Sequence, residues 1–233
     1  MIDSKTEWTD HTWNPWQGCV HKSAGCDHCY ARRRAERYGV SFEPHSSSEA
    51  TWHLPLSKRV QTGDSVFVCS LSDFFIPFPN ADRWRNRALD TIESRPDVTF
   101  MILTKRAWAM MSWATEARPF PKNVWAGVTV ESGEYVERIQ ALRETPVPSG
   151  IRFVSAEPLI GPLALSAHLG LDRVSWLIVG GESGPKAREM EPIWVKELSE
   201  EAEEARIPFF FKQWGAASNQ TTAYRKEKPT CQH

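Results

Sequence analysis

From residue 65 onward, six short apolar runs alternate with polar or amphipathic stretches, and this alternation restricts the fold more than any other feature. The runs are SVFVCS (65–70), VTFMIL (98–103), VWAGVTV (124–130), IRFVSA (151–156), WLIVGG (176–181) and IPFFF (207–211). Runs this short, rich in β-branched and aromatic residues and lacking clean polar alternation, read as strands buried on both faces, as in parallel sheets. Helical patterns over 82–94, 106–116, 133–143 and 192–206 fall between them. Pro192 suits a first helical turn, where its missing N–H costs nothing. A further strand or loop is expected near TWNPWQG (12–18). The expectation is an α/β fold with parallel strands and outer helices, a partial (β/α)6 TIM-like barrel, although periodicity alone does not separate a barrel from a flat sheet. Residues 1–215 form one domain on this reading. Residues 216–233 lose periodicity and are expected to be a loosely structured C-terminal tail.

Polar, charged or glycine residues follow every run: SLSD, TKR, VES, AEPL, GGESG and KQWG. In parallel α/β folds the carboxyl ends of the strands are where ligands bind. Ser70, Asp73, Lys105, Arg106, Glu131, Glu157, Glu182, Lys212 and Gln213 are therefore expected on one rim. The plain alternative is that such residues cap the following helices. Glu131 and Glu157 suit ribose hydroxyls or proton transfer. Lys105 and Arg106, with Trp108 close behind, suit a phosphate-bearing or nucleobase substrate. Lys212 directly follows an apolar strand, where an amine is costly without solvent, a ligand or a partner, and Trp214 lies beside it. Arg32, Arg33, Arg34 and Arg37 read either as a solvated helix face or as a surface for phosphates or an acidic reductant.

Net charge is -1 over 233 residues, so no global field draws the chain to nucleic acid. No apolar run reaches membrane length, and the opening MIDSKTEWTD lacks a basic stretch followed by an apolar one. Cytoplasm, without membrane contact, is the expected location. Five cysteines are an odd count, which argues against a disulfide framework. Cys69 and Cys231 read as bystanders. Cys19, Cys26 and Cys29 form a C-x6-C-x2-C array, with Gly18 and Gly25 each preceding a thiol. Zinc would usually want a fourth ligand, which His11, His21 or His28 would have to supply. A [4Fe-4S] cluster held by three thiolates leaves one iron open. A redox pair at Cys26 and Cys29 is a third reading, without the usual motif context.

The stretches TEWTDHTWNPWQGC, GCDHCYA, LTKR, SAEPL, VGGESGP.AR and FFFKQWG resemble, in order and spacing, the phage-associated three-cysteine-motif proteins, an uncharacterised family related to the radical-SAM superfamily. The likeness runs from about Thr6 to Gly215. It implies a partial barrel of radical-SAM type in which Cys19, Cys26 and Cys29 hold [4Fe-4S]. S-adenosylmethionine would chelate the open iron, and its reductive cleavage would give methionine and a 5'-deoxyadenosyl radical. An electron donor such as a flavodoxin or ferredoxin is implied as partner. Tyr30, after the last cysteine, would line the cofactor pocket. The usual loop is C-x3-C-x2-C, so only its second half matches here. The GGES at 180–183 looks like the superfamily's amino-group motif but follows a late strand. Ser70 and Asp73 occupy the early position and are the expected amino-group contacts, with Glu182 left to substrate or cofactor. The resulting expectation is a radical-SAM-type iron-sulfur protein acting on an unknown substrate, with nucleic acid or nucleotide as the candidate class. The alternative is a non-enzymatic zinc or iron-sulfur module that recognises nucleic acid or a partner protein.

Overall fold

A computed structural model describes residues 6–165 and 171–229. Every apolar run forms a strand: β4 Ser65–Val68, β5 Thr99–Thr104, β6 Val124–Thr129, β7 Arg152–Ala156, β8 Trp176–Gly180 and β9 Phe209–Gln213. A short β1, His11–Trp13, precedes them. The seven strands pair in parallel in the order β1-β4-β5-β6-β7-β8-β9, an open half-barrel whose two edge strands do not meet. β2 (Trp16–Gln17) and β3 (His45–Ser46) form a separate antiparallel pair.

The helices are α1 Tyr30–Arg37, α2 Glu49–Trp52, α3 Ala81–Glu93, α4 Ala107–Ser112, α5 Glu137–Glu144 and α6 Pro192–Glu204. The segment expected as one helix at 106–116 is α4 followed by a π-helical turn, Trp113–Ala117. Similarly, 133–143 begins as a 3-10 turn, Gly133–Tyr135, before α5. No helix among the described residues is long and apolar enough to cross a membrane.

Alternation along the strands sorts side chains between two faces. Val66, Phe100, Ile102, Val124, Val128, Val154, Leu177, Phe209 and Phe211 join the large outer core beneath the helices. Phe67, Met101, Trp125, Phe153, Trp176 and Phe210 point the other way and gather around Trp8. The Trp8 ring centroid lies 4.7 Å from that of Phe67 and 6.2 Å from those of Phe153 and Trp176. Gly127 leaves room for the Phe153 ring, which occupies the space any Cβ there would need. Because these aromatics come early in their strands, they fill the amino end of the half-barrel. The inner positions further along are Lys105, Thr129, Glu131, Ser155, Glu157 and Lys212, so the carboxyl end is polar.

The tail carries no helix or strand among the described residues, but part of it is tied to the sheet. Phe211 N–H donates to Arg225 O at 2.9 Å, and Glu227 N–H donates to Phe209 O at 2.9 Å, so this stretch runs antiparallel along the free edge of β9. Trp176 Nε1 donates to Glu227 O at 2.8 Å, and Tyr224 packs against Phe211 and Trp214. The physical reason is edge satisfaction: β9 would otherwise present a row of unpaired backbone groups. Cys231 lies outside the described residues.

Candidate functional site

The segment from Gly18 to Cys29 carries all three clustered thiols and crosses the carboxyl end of the sheet, tied down at each strand-end loop it passes. Gly18 adopts φ +83°, and its Cα sits against the backbone of Phe42 and Glu43, so only glycine fits. Its N–H donates to Leu71 O at 3.2 Å, and Ser72 Oγ donates to its carbonyl at 2.5 Å. Arg106 Nη2 then donates to Val20 O at 2.7 Å. Further on, Ser23 Oγ donates to Glu131 Oε1 at 2.6 Å, and Ala24 N–H donates to Tyr135 Oη at 3.2 Å. Arg188 Nη2 donates to Ala24 O at 2.8 Å, while His28 Nδ1 lies 2.9 Å from Glu182 Oε2. Loops after β4, β5, β6 and β8 therefore share in holding one segment.

Three buried carboxylates anchor this arrangement. Asp73 receives the Phe75 N–H at 2.8 Å, Thr104 Oγ1 at 2.7 Å, Lys105 N–H at 3.0 Å and Arg106 Nη1 at 3.3 Å. It joins the β4 and β5 loops and orients the arginine that grips Val20. Glu131 is 0 % exposed and meets Ser23, Arg138 Nη1 at 2.7 Å and, more loosely, Lys105 Nζ at 3.5 Å. Glu182 takes three bonds from Arg188, at 2.9 Å from the backbone N–H, 3.0 Å from Nε and 2.6 Å from Nη2. Burial alone would push the Glu182 carboxyl up, but the Arg188 and His28 hydrogen bonds outweigh it and hold it down at about 2. All three are expected on the rim, Asp73 and Glu131 as cofactor contacts and Glu182 with its role undecided. The structure shows each already engaged in securing the loop.

The remaining candidates divide in two. Glu157 and Lys212 are half-buried and form an ion pair, reaching past β8 because Gly180 has no side chain between them. The exposed Tyr30 ring begins α1 directly after Cys29, and its hydroxyl donates to Ser70 O. Ser70 Oγ itself exchanges hydrogen bonds with the Asn14 side chain. Gln213 Nε2 donates back to Gly181 O at 3.4 Å. Trp214 is turned away from the rim: buried against Phe211 and Tyr224, it donates to Thr222 O at 2.8 Å. Trp108 is exposed.

Sequence reasoning gave no role to Ser23, Tyr135, Arg138 or Arg188. Arg188 was visible as the closing residue of VGGESGP.AR. Arg138 reads as a solvated helix arginine, and only its 3 % exposure reveals it as the buried counter-charge of Glu131.

Cys19, Cys26 and Cys29 are free thiols of intermediate burial. Burial first, then the nearby Asp73 charge, pushes the Cys19 thiol up to about 12, with Arg106 opposing and Cys26 and Cys29 adding to the rise. The three are thus close enough to feel one another, and a cation would have to displace the Cys19 proton. They do not close on one point: among the described residues, no three His, Cys, Asp or Glu side chains converge on a site for a metal ion. The histidines considered as fourth ligands are engaged elsewhere. His11 Nε2 lies 2.8 Å from Asp64, His21 Nε2 2.8 Å from Asp27, and His28 faces Glu182. Three soft thiols without a fourth protein donor suit a multi-iron cluster, whose ligands stand farther apart than those around a single ion.

A family model described as "Protein of unknown function (DUF5131)" matches residues 3–232. No curated protein matches the chain, and no solved structure does.

Proposed function

We propose that this chain, which belongs to the DUF5131 family, is an iron-sulfur protein of the radical-SAM type that modifies a nucleic acid or nucleotide substrate. The observation that carries the reading is the set of three free, half-buried thiols on one segment, held across the carboxyl end of a parallel half-barrel by four strand-end loops. When bound, a [4Fe-4S] cluster with three thiolate ligands offers one iron to the amino and carboxylate groups of S-adenosylmethionine and supplies the electron for its cleavage.

The residues of the chain have the following parts. Glu131 and Glu182 hold the segment from beneath and from its far side, so the thiols enter loading already placed. Cys19 surrenders its proton on loading, and uptake releases acid. Glu157 and Lys212 form an ion pair that a zwitterionic amino-acid moiety would open, its ammonium taking Glu157 and its carboxylate Lys212. The exposed face of Tyr30 is placed for an adenine ring beside Cys29. The aromatic plug around Trp8 closes the opposite end against water.

The test is anaerobic reconstitution with iron and sulfide, electron paramagnetic resonance after dithionite reduction, and assay for 5'-deoxyadenosine with S-adenosylmethionine present. The expected result is a reduced-cluster signal that shifts on adding the cofactor, and loss of bound iron in each of C19A, C26A and C29A. Full iron and sulfide in all three variants would overturn the reading. One tightly held zinc per chain, with no deoxyadenosine, would do so too and would favour a binding module.

A further inference from the structure

A groove of about 300 Å³ lies between α3 and the β2–β3 pair, lined by Ser46, Asn80, Arg83, Trp84 and Arg87. Arg83 and Arg87 are one helical turn apart and share a face of α3. Arg87 is fixed: its guanidinium forks onto the Glu49 carboxylate and lies 4.3 Å over the Trp52 ring. Arg83 makes no hydrogen bond or ion pair with any described residue. Trp84 is held by stacking on Trp16 and Phe78, with centroids 5.9 Å and 5.5 Å away, and its indole N–H has no hydrogen-bond partner among the described residues. Asn80 precedes the helix, and its side chain makes no capping bond.

Two carboxylates beside the groove residues are already paired, Glu49 with Arg87 and Asp82 with Arg85. The groove is therefore lined by two guanidinium side chains, one paired to Glu49 and one without a partner among the described residues, together with the Asn80, Ser46 and Trp84 side chains and no carboxylate. That set suits an anion with several acceptor oxygens. Its position also matters. α3 begins after the carboxyl end of β4, and β2 runs directly into Gly18 and Cys19. The elements that line the groove are thus joined through short connections to the strand end of β4 and to the thiol segment.

We infer that this groove holds a backbone phosphate of a nucleic acid strand. This extends the substrate class of the proposed function, while resting on side chains that take no part in thiol chemistry. A phosphodiester brings two free oxygens to Arg83 and the neighbouring side chains, while its ester oxygens continue the strand beyond the groove.

The test is fluorescence anisotropy of a labelled single-stranded 12-mer titrated with the full chain over a range of salt, on protein with and without bound iron. Arg83→Gln should weaken binding about tenfold or more, as loss of a charge-assisted contact does, and reduce the salt slope by about 0.7, the value for one phosphate contact on a single strand. Its melting temperature should be unchanged, since Arg83 holds nothing in the fold. Arg37→Gln, which removes the same charge from α1, should bind like the parent. Undiminished binding in Arg83→Gln, equal weakening in Arg37→Gln, or equally tight binding of inorganic phosphate or a mononucleotide would each overturn the inference. Binding that persists without iron would leave it standing even if the cluster assay fails, so the two readings fail separately.

Discussion

Glu131→Gln isolates the charge at the centre of the loop anchorage. Glutamine has the same shape, and its carbonyl can still accept from Arg138 Nη1, now 2.7 Å from the carboxylate, while its amide donates to the rotatable Ser23 hydroxyl. The hydrogen-bond count is therefore preserved, and what disappears is the negative charge. Arg138 is 3 % exposed and Glu131 fully buried, so the guanidinium is left without a counter-charge in a place water does not reach. Its second bond, to Thr129 O at 2.8 Å, and its position 4.4 Å over the Tyr135 ring soften the loss without neutralising it. Breaking a buried pair from one side costs about 3–5 kcal/mol, and the surviving bonds place this case near the lower figure. For a domain of this size, about 3 kcal/mol lowers the melting temperature by about 6–12 °C. Urea and thermal unfolding at neutral pH measure it directly. Because Ser23 belongs to the thiol segment, the reaction of Cys26 and Cys29 with Ellman's reagent should also accelerate. A variant within about 1 kcal/mol of the parent, with unchanged thiol reactivity, would refute the view that the Glu131–Arg138 pair carries the loop.

Two further outcomes follow from the same geometry. In Gly25→Ala the new Cβ would stand 2.5 Å from Glu131 Oε1 and 2.7 Å from its Cγ, and Glu131 is pinned on both oxygens; a destabilisation of about 1–3 kcal/mol is expected, read as a lowered urea midpoint with faster thiol labelling. Glu182 is held below its ordinary range despite burial, so its contribution is fully present above the unfolded carboxylate range and fades as pH falls toward about 2. The stability advantage over Glu182→Gln should therefore shrink by about 2 kcal/mol between about pH 6 and pH 3, and a difference that stays constant over that range would show that Glu182 is not held ionised.

The order of elements was legible because strand and helix patterns are local. Each buried strand announces itself within five or six residues, and the polar residues at the strand ends follow from the same register. β1 is three residues long, below the length at which periodicity can be read, and it becomes a strand only because Val66, Phe67 and Val68 lie beside it. The contact of residues 225–227 with β9 is not legible for the same reason. That pairing depends on an edge that exists only once the sheet has formed.

Spacing along the chain suffices to read a parallel α/β fold, three thiols on one short segment with glycine before two of them, and charged residues at one end of the sheet. Folding alone settles which of these charges are enclosed as structural pairs and which stay accessible at the rim. Asp73, Glu131 and Glu182 look as available in sequence as Glu157, yet they are enclosed by Arg106, Arg138 and Arg188. Arg83 is an exposed helix arginine, and only the fold shows that it lines a groove beside Arg87 without a partner among the described residues. The reason is that burying a charge is tolerable only when its counter-charge arrives with it, and these pairings between charges and loops are set by how the strand ends meet.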